Sequence, residues 1–88
     1  MSSLIGAEIG EMHALKASFN RQSGQVEQLM TTLRGDLGTT WWRGGAAERF
    51  RSAWEREYEP ALRSLSRALV DAAEEVGRRA DAIHQAGA

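Results

Sequence analysis

Gly35-Asp36-Leu37-Gly38-Thr39-Thr40-Trp41-Trp42-Arg43-Gly44-Gly45 lies at the middle of an 88-residue chain, and its reading decides the fold. Four glycines in eleven residues do not propagate a helix; Gly35 and Gly38 close one, and Gly44-Gly45 opens the next segment. The spacing predicts a short turn over 38–45 that carries Trp41 and Trp42. Ala46 and Ala47 behind it let the following segment start close to the preceding one.

On the N-terminal side, Ile5, Met12, Phe19, Val26 and Leu33 recur every seven residues. A second row holds Ile9, Met30 and Leu37, while Leu15 and Leu29 widen the apolar stripe on the other flank. Lys16 and Ser23 fall in that second row and narrow the stripe at its middle. A seven-residue period kept over four intervals predicts a coiled-coil-like helix over about 4–37. Gly10 and Gly24 weaken it locally, either as tolerated interior glycines or as places of close helix approach.

On the C-terminal side, Leu62, Leu69, Val76 and Ile83 repeat the same spacing. Trp54, Ala61 and Ala68 form a neighbouring row, as do Tyr58, Leu65 and Ala72, with Phe50 one turn before Trp54. A second helix over about 46–85 follows. Pro60 lacks a backbone donor and crowds the carbonyl of Arg56, but the rows run past it in register. A kink in a continuous helix is expected, in preference to two separate helices. Acid-first pairs such as Glu59 with Arg63 and Glu74 with Arg78 dress the solvated face. The fold class is therefore all-α, a helix–turn–helix hairpin forming one domain over 1–88.

The rest of the composition narrows the function by exclusion. Formal net charge is −1, which offers no basic face for nucleic acid and no polybasic patch for a membrane. There is no cysteine, hence no disulfide and no thiolate metal site. No apolar run is long enough to span a bilayer, so no integral membrane segment is expected. Met1-Ser2-Ser3-Leu4-Ile5 has no basic leader and no long apolar core, so it does not read as a cleavable secretory signal. His13 and His84 sit on different helices without further ligands. The serines lack a glycine elbow, and the glycines lack the lysine of a phosphate loop. The expectation is no catalytic residue, no cofactor, no metal and no enzyme.

Two helices share only one contact seam, and the apolar stripes here are wider than one seam requires. So small a chain rarely stabilises a core unaided. The surplus predicts a partner: another copy or a second helical hairpin, completing an antiparallel four-helix bundle. The residues expected at that interface or in the core are Ile5, Met12, Leu15, Phe19, Val26, Leu29, Leu33, Phe50, Trp54, Leu62, Leu65, Leu69 and Val76.

The triplet Trp42-Arg43-Gly44 near the midpoint, followed by Phe50 and framed by two amphipathic helices, resembles the WXG family, the early-secreted-antigen-type proteins of type VII secretion. The likeness covers essentially the whole chain. It implies an obligate homo- or heterodimer of hairpins, present in the cytoplasm before export and secreted without a cleavable signal peptide. It also implies a membrane ATPase of the secretion machine as partner, and Trp42, Gly44 and Trp41 as the turn motif that is recognised. Many members carry a C-terminal Tyr-x-x-x-Asp/Glu signal; here the only tyrosine is Tyr58, followed four residues later by Leu62. That departure implies that a partner supplies the signal, or that the chain is a chaperone or adaptor for the helical front end of a larger toxin. A generic homodimeric helical scaffold is the remaining alternative.

Overall fold

A computed structural model describes residues 2–87. Helix α1 spans Ser2–Thr39, α2 spans Gly45–Ala53, and α3 spans Glu59–Gly87. A π-helical turn, Trp54–Tyr58, joins α2 to α3 without a break. Thr40–Gly44 is the one non-helical stretch among the described residues, and it folds α3 back along α1. The fold is an all-α hairpin with no strand among those residues.

The molecule measures 66 × 18 × 11 Å, and its radius of gyration is 19.7 Å. A globular domain of this length would have a radius near 12 Å. Its thinnest dimension is that of a single helix. The accessible surface is 6496 Å², against roughly 5,100 Å² for a compact monomer of 9.7 kDa. A single layer of two rods has no interior. Accordingly, among the described residues, the buried apolar ones are only Met30, Ala47, Ala73 and Ala80.

Burial alternates at four and three residues along both rods, the signature of an antiparallel coiled-coil seam. On α1 it falls on Ile9, Met12, Lys16, Phe19, Ser23, Val26, Met30, Leu33 and Leu37. On α3 it falls on Glu59, Leu62, Ser66, Leu69, Ala73, Val76, Ala80 and Ile83. The Ser23 hydroxyl donates to the Ser66 carbonyl (3.0 Å), and the two hydroxyls lie 2.7 Å apart. Counting seven residues outward from that pair sets Lys16 opposite Ala73, Ile9 opposite Ala80, and Met30 opposite Glu59. Large side chains of α1 thus meet small ones of α3, and the Lys16 stem covers Gly77. The Glu59 carboxylate accepts from Arg34, with Arg63 also within ion-pair range.

This corrects four sequence expectations. Helix α1 runs through Gly35 and Gly38 to Thr39 and α2 begins at Gly45, so the turn is 40–44 and not 38–45. Glu59 is buried in the seam and does not dress the solvated face. Lys16 and Ser23 belong to the seam instead of merely narrowing it. The rows also do not run past Pro60 in register. The Glu59 N–H bonds to the Trp54 carbonyl, five residues back, so the turn holds one extra residue. Pro60 accounts for it: the ring has no N–H for the Arg56 carbonyl and crowds it, and a wider turn relieves the crowding. The phase shifts by one residue. Trp54 joins the seam with Ala47 and Arg51, while Ala61, its expected row-mate, is exposed.

Candidate interaction surface

Positions flanking the seam divide the hairpin into two broad sides. On one side the flanks are Leu15 and Leu29 of α1 and Leu65 of α3, each exposed by nearly half. Tyr58 continues this row, and Phe50 lies beyond it toward the turn. On the other side are His13, Asn20, Glu27 and Arg34, opposed by Arg63, Val70 and His84. A shallow groove there is lined by Glu27, Arg63, Ser66, Arg67 and Val70. The first side is the richer in apolar and aromatic side chains, with Gln22, Asp36 and Arg79 among them; the second is mostly polar and charged.

The aromatic side is built by the π-turn. Phe50, Trp54 and Tyr58 lie four residues apart, and the extra residue keeps all three against one another. Trp42 stacks on Phe50 at 5.7 Å between ring centroids, Phe50 on Tyr58 at 6.2 Å, and Trp54 on Tyr58 at 6.4 Å. Tilted contacts of this kind each contribute about 0.5–1.5 kcal/mol beyond their buried area. Together with Ala61 and Leu62, three of these rings line an open groove of about 430 Å³. The Trp54 indole Nε1 is buried and makes no hydrogen bond.

At the end of the rod, Trp42 is 40% exposed and Trp41 83% exposed, with the Arg43 guanidinium over the Trp41 ring at 5.9 Å. Gly44 adopts φ 104° and ψ −179°, a region that only glycine occupies without strain. Its carbonyl accepts the Glu48 N–H (3.1 Å) and starts α2. Nothing lies within 4 Å of where a Cβ would sit, so the requirement is of the backbone and not of space. Gly44→Ala is expected to cost about 1–3 kcal/mol and to lower the thermal midpoint by several degrees. An unchanged melt by circular dichroism would remove glycine's special role here.

The expected site residues therefore divide. Met12, Phe19, Val26, Leu33, Leu62, Leu69 and Val76 lie in the intramolecular seam, with Ile5 near Gly87 at the open end. Leu15, Leu29, Leu65 and Phe50 lie on the aromatic side, and Trp54 bridges seam and strip. Trp41, Trp42 and Gly44 form the tip. Sequence reasoning passed over Ser66, Ala73 and Ala80, which share the seam's spacing but not its bulk, and placed Glu59 on the solvated face although it is buried. It also passed over Arg51, whose partners lie 9 to 14 residues away.

Residues 5–88, the turn included, match the family described as WXG100, proteins of 100 residues with WXG. The chain belongs to the WXG100 family. This places it among small helical proteins associated with type VII secretion, whose members leave the cell without signal peptides and partner with other helical hairpins. No curated protein and no solved structure gives a significant match to this WXG100 chain. Among the described residues, no helix is long and apolar enough to cross a membrane, and no cluster of three or more His, Asp or Glu side chains could hold a metal ion.

Proposed function

We propose that this WXG100 protein is a non-enzymatic interaction module. It pairs through its aromatic side with a second helical hairpin, either another copy or a different chain. The pair is then exported by, or accompanies cargo to, a type VII machine. The observation that carries the reading is the geometry of the single layer: 11 Å thick, richer in apolar side chains on one broad side and mostly polar and charged on the other. Laying a second hairpin on the apolar side doubles the layer and covers Leu15, Leu29, Phe50, Tyr58 and Leu65. A specific pairing removes about 800 Å² from each partner, which the excess surface noted above is large enough to supply. The Trp41–Trp42 tip stays at the end of the resulting bundle, where an ATPase of the machine would read it.

The experiment is export from a cell that has the machine. Trp42→Ala is expected to leave a helical, paired protein, because Trp42 packs only on Phe50 at the end of the rod, outside the seam, and to reduce its appearance in culture medium by at least about tenfold, as loss of an anchoring indole does. Export at the wild-type level would reduce Trp42 to a plug over Phe50. One observation favours a second reading, a cytoplasmic chaperone for a larger secreted chain. The only tyrosine, Tyr58, is engaged in the aromatic strip and is not followed by an acidic residue at the family's spacing. Co-purification with the products of neighbouring genes separates the two: a short hairpin partner supports export of the pair, and a long chain with a helical front end supports the chaperone.

A further inference from the structure

Helix α2 has no side-chain N-cap, since Gly44 can offer none. The last carbonyls of α1 have no helical partners and carry the negative end of its dipole. The Thr39 and Thr40 hydroxyls meet the Gly35 and Asp36 carbonyls locally; the carbonyls beyond them are met from the far side of the turn. Arg51, in α2, points back toward α1: its Nη1 donates to the Trp42 carbonyl (2.9 Å), and its Nη2 donates to the carbonyls of Thr40 (3.2 Å) and Leu37 (3.3 Å). Three carbonyls, from the last helical turn through the second tryptophan, converge on one guanidinium.

The neighbouring arginines do different work. Arg43 lies over the Trp41 ring, and the Arg49 guanidinium folds over Gly45. Arg51 alone of the three is partly buried, and it shares the seam with Trp54. A planar fork with fixed donors suits carbonyls that lie in different directions; a lysine ammonium on a flexible stem does not reproduce that spread.

We infer that Arg51 is the positioning residue of the Trp-X-Gly turn. By tying the Trp42 backbone to the end of α1 it sets the direction in which the tryptophan pair leaves the rod, and so whether that pair is presented in one orientation or many. The consequence for recognition rests on the export reading above; the positioning itself does not.

The test is amide hydrogen exchange by NMR on the full chain. The Thr40 N–H donates to the Asp36 carbonyl (2.9 Å) and the Trp42 N–H to the Thr40 carbonyl (3.0 Å), so both report on the clasped segment. Arg51→Gln, which keeps part of the apolar stem, is expected to speed exchange at these two amides by about tenfold and to leave the Leu69 and Ala73 amides unchanged. Arg51→Lys is expected to fall between, and it carries the comparison if the glutamine variant does not fold. Unchanged exchange at Thr40 and Trp42 overturns the inference; so does equal acceleration along α3, which would make Arg51 a contributor to overall stability only. Export separates the two readings. Arg51→Gln should reduce it as Trp42→Ala does, with no further loss in the double variant. If the turn amides respond but Trp42→Ala is exported normally, positioning stands and the recognition reading falls.

Discussion

Met30→Asp is expected to abolish the hairpin. Among the described residues, Met30 is the one large apolar side chain that is buried, at 7% exposure. Aspartate there forfeits roughly 1.5–3 kcal/mol of thioether and methylene burial. It also places a carboxylate opposite Glu59, which is itself buried and already engaged by Arg34 and Arg63. An unpaired buried charge costs several kcal/mol more. A chain of this length has about 4–13 kcal/mol in total, so the combined loss consumes most or all of it. Far-UV circular dichroism should show helix content collapsing and no cooperative denaturation. Met30→Leu, which keeps the volume, should fold with a change below about 1.5 kcal/mol. A cooperative melt of the aspartate variant close to wild type would mean that the seam does not hold the rods together.

Leu65→Asp is expected to act differently, because Leu65 stands outside the seam and is 47% exposed in the lone hairpin. Nothing within the chain is buried by it that a carboxylate would desolvate fully. Its cost falls on the partnered state, where the second hairpin would remove the remaining surface. Burying a charge at the centre of such an interface costs about 3–5 kcal/mol, which raises the dissociation constant by about a hundredfold to a few thousandfold. Sedimentation equilibrium should find a species of 9.7 kDa at concentrations where the wild type is paired. Circular dichroism should find the helices retained in the cold but melting broadly, since a single layer with four small or flexible buried residues has little cooperative core. A Leu65→Asp protein that still pairs would move the interface to the charged side or remove it altogether. Leu29→Asp, on the neighbouring rod of the same side, should behave alike, whereas Val70→Asp on the opposite side should leave pairing intact.

The hairpin was legible because its two strongest signals are independent. The glycine-rich stretch 35–45 marked the turn, although Gly35 and Gly38 stay helical and the break falls at 40–44 with Gly44 as its pivot, and the rows through Phe19 and Leu69 keep a seven-residue period on either side. What the sequence hid follows from looking for hydrophobicity when the seam selects for fit. Ala73 and Ala80 have no bulk, yet they are buried because Lys16 and Ile9 need the room. Ser23 and Ser66 interrupt the apolar rows, yet they satisfy each other and fix the register: sliding one rod by a heptad would strand both hydroxyls. The alternation of four and three residues would have found all four had it been applied without regard to polarity. Pro60 announced a disturbance but not its form, since the same ring can kink a helix or widen a turn. Arg51 gave no local signal at all; a clasp that spans the turn exists only once the two rods are side by side.

The widened turn at Trp54–Tyr58 has an implication for how chain length can vary among relatives. Elsewhere along either rod, losing one residue would rotate everything beyond it by about 100° and turn the seam outward. Here a single deletion merely returns the turn's remaining residues to ordinary α-helix and restores the unbroken heptad from Ala47 to Ile83. This segment is therefore the one place in the long helices where a codon-sized gap is tolerable, provided the proline that props it open is lost in the same step.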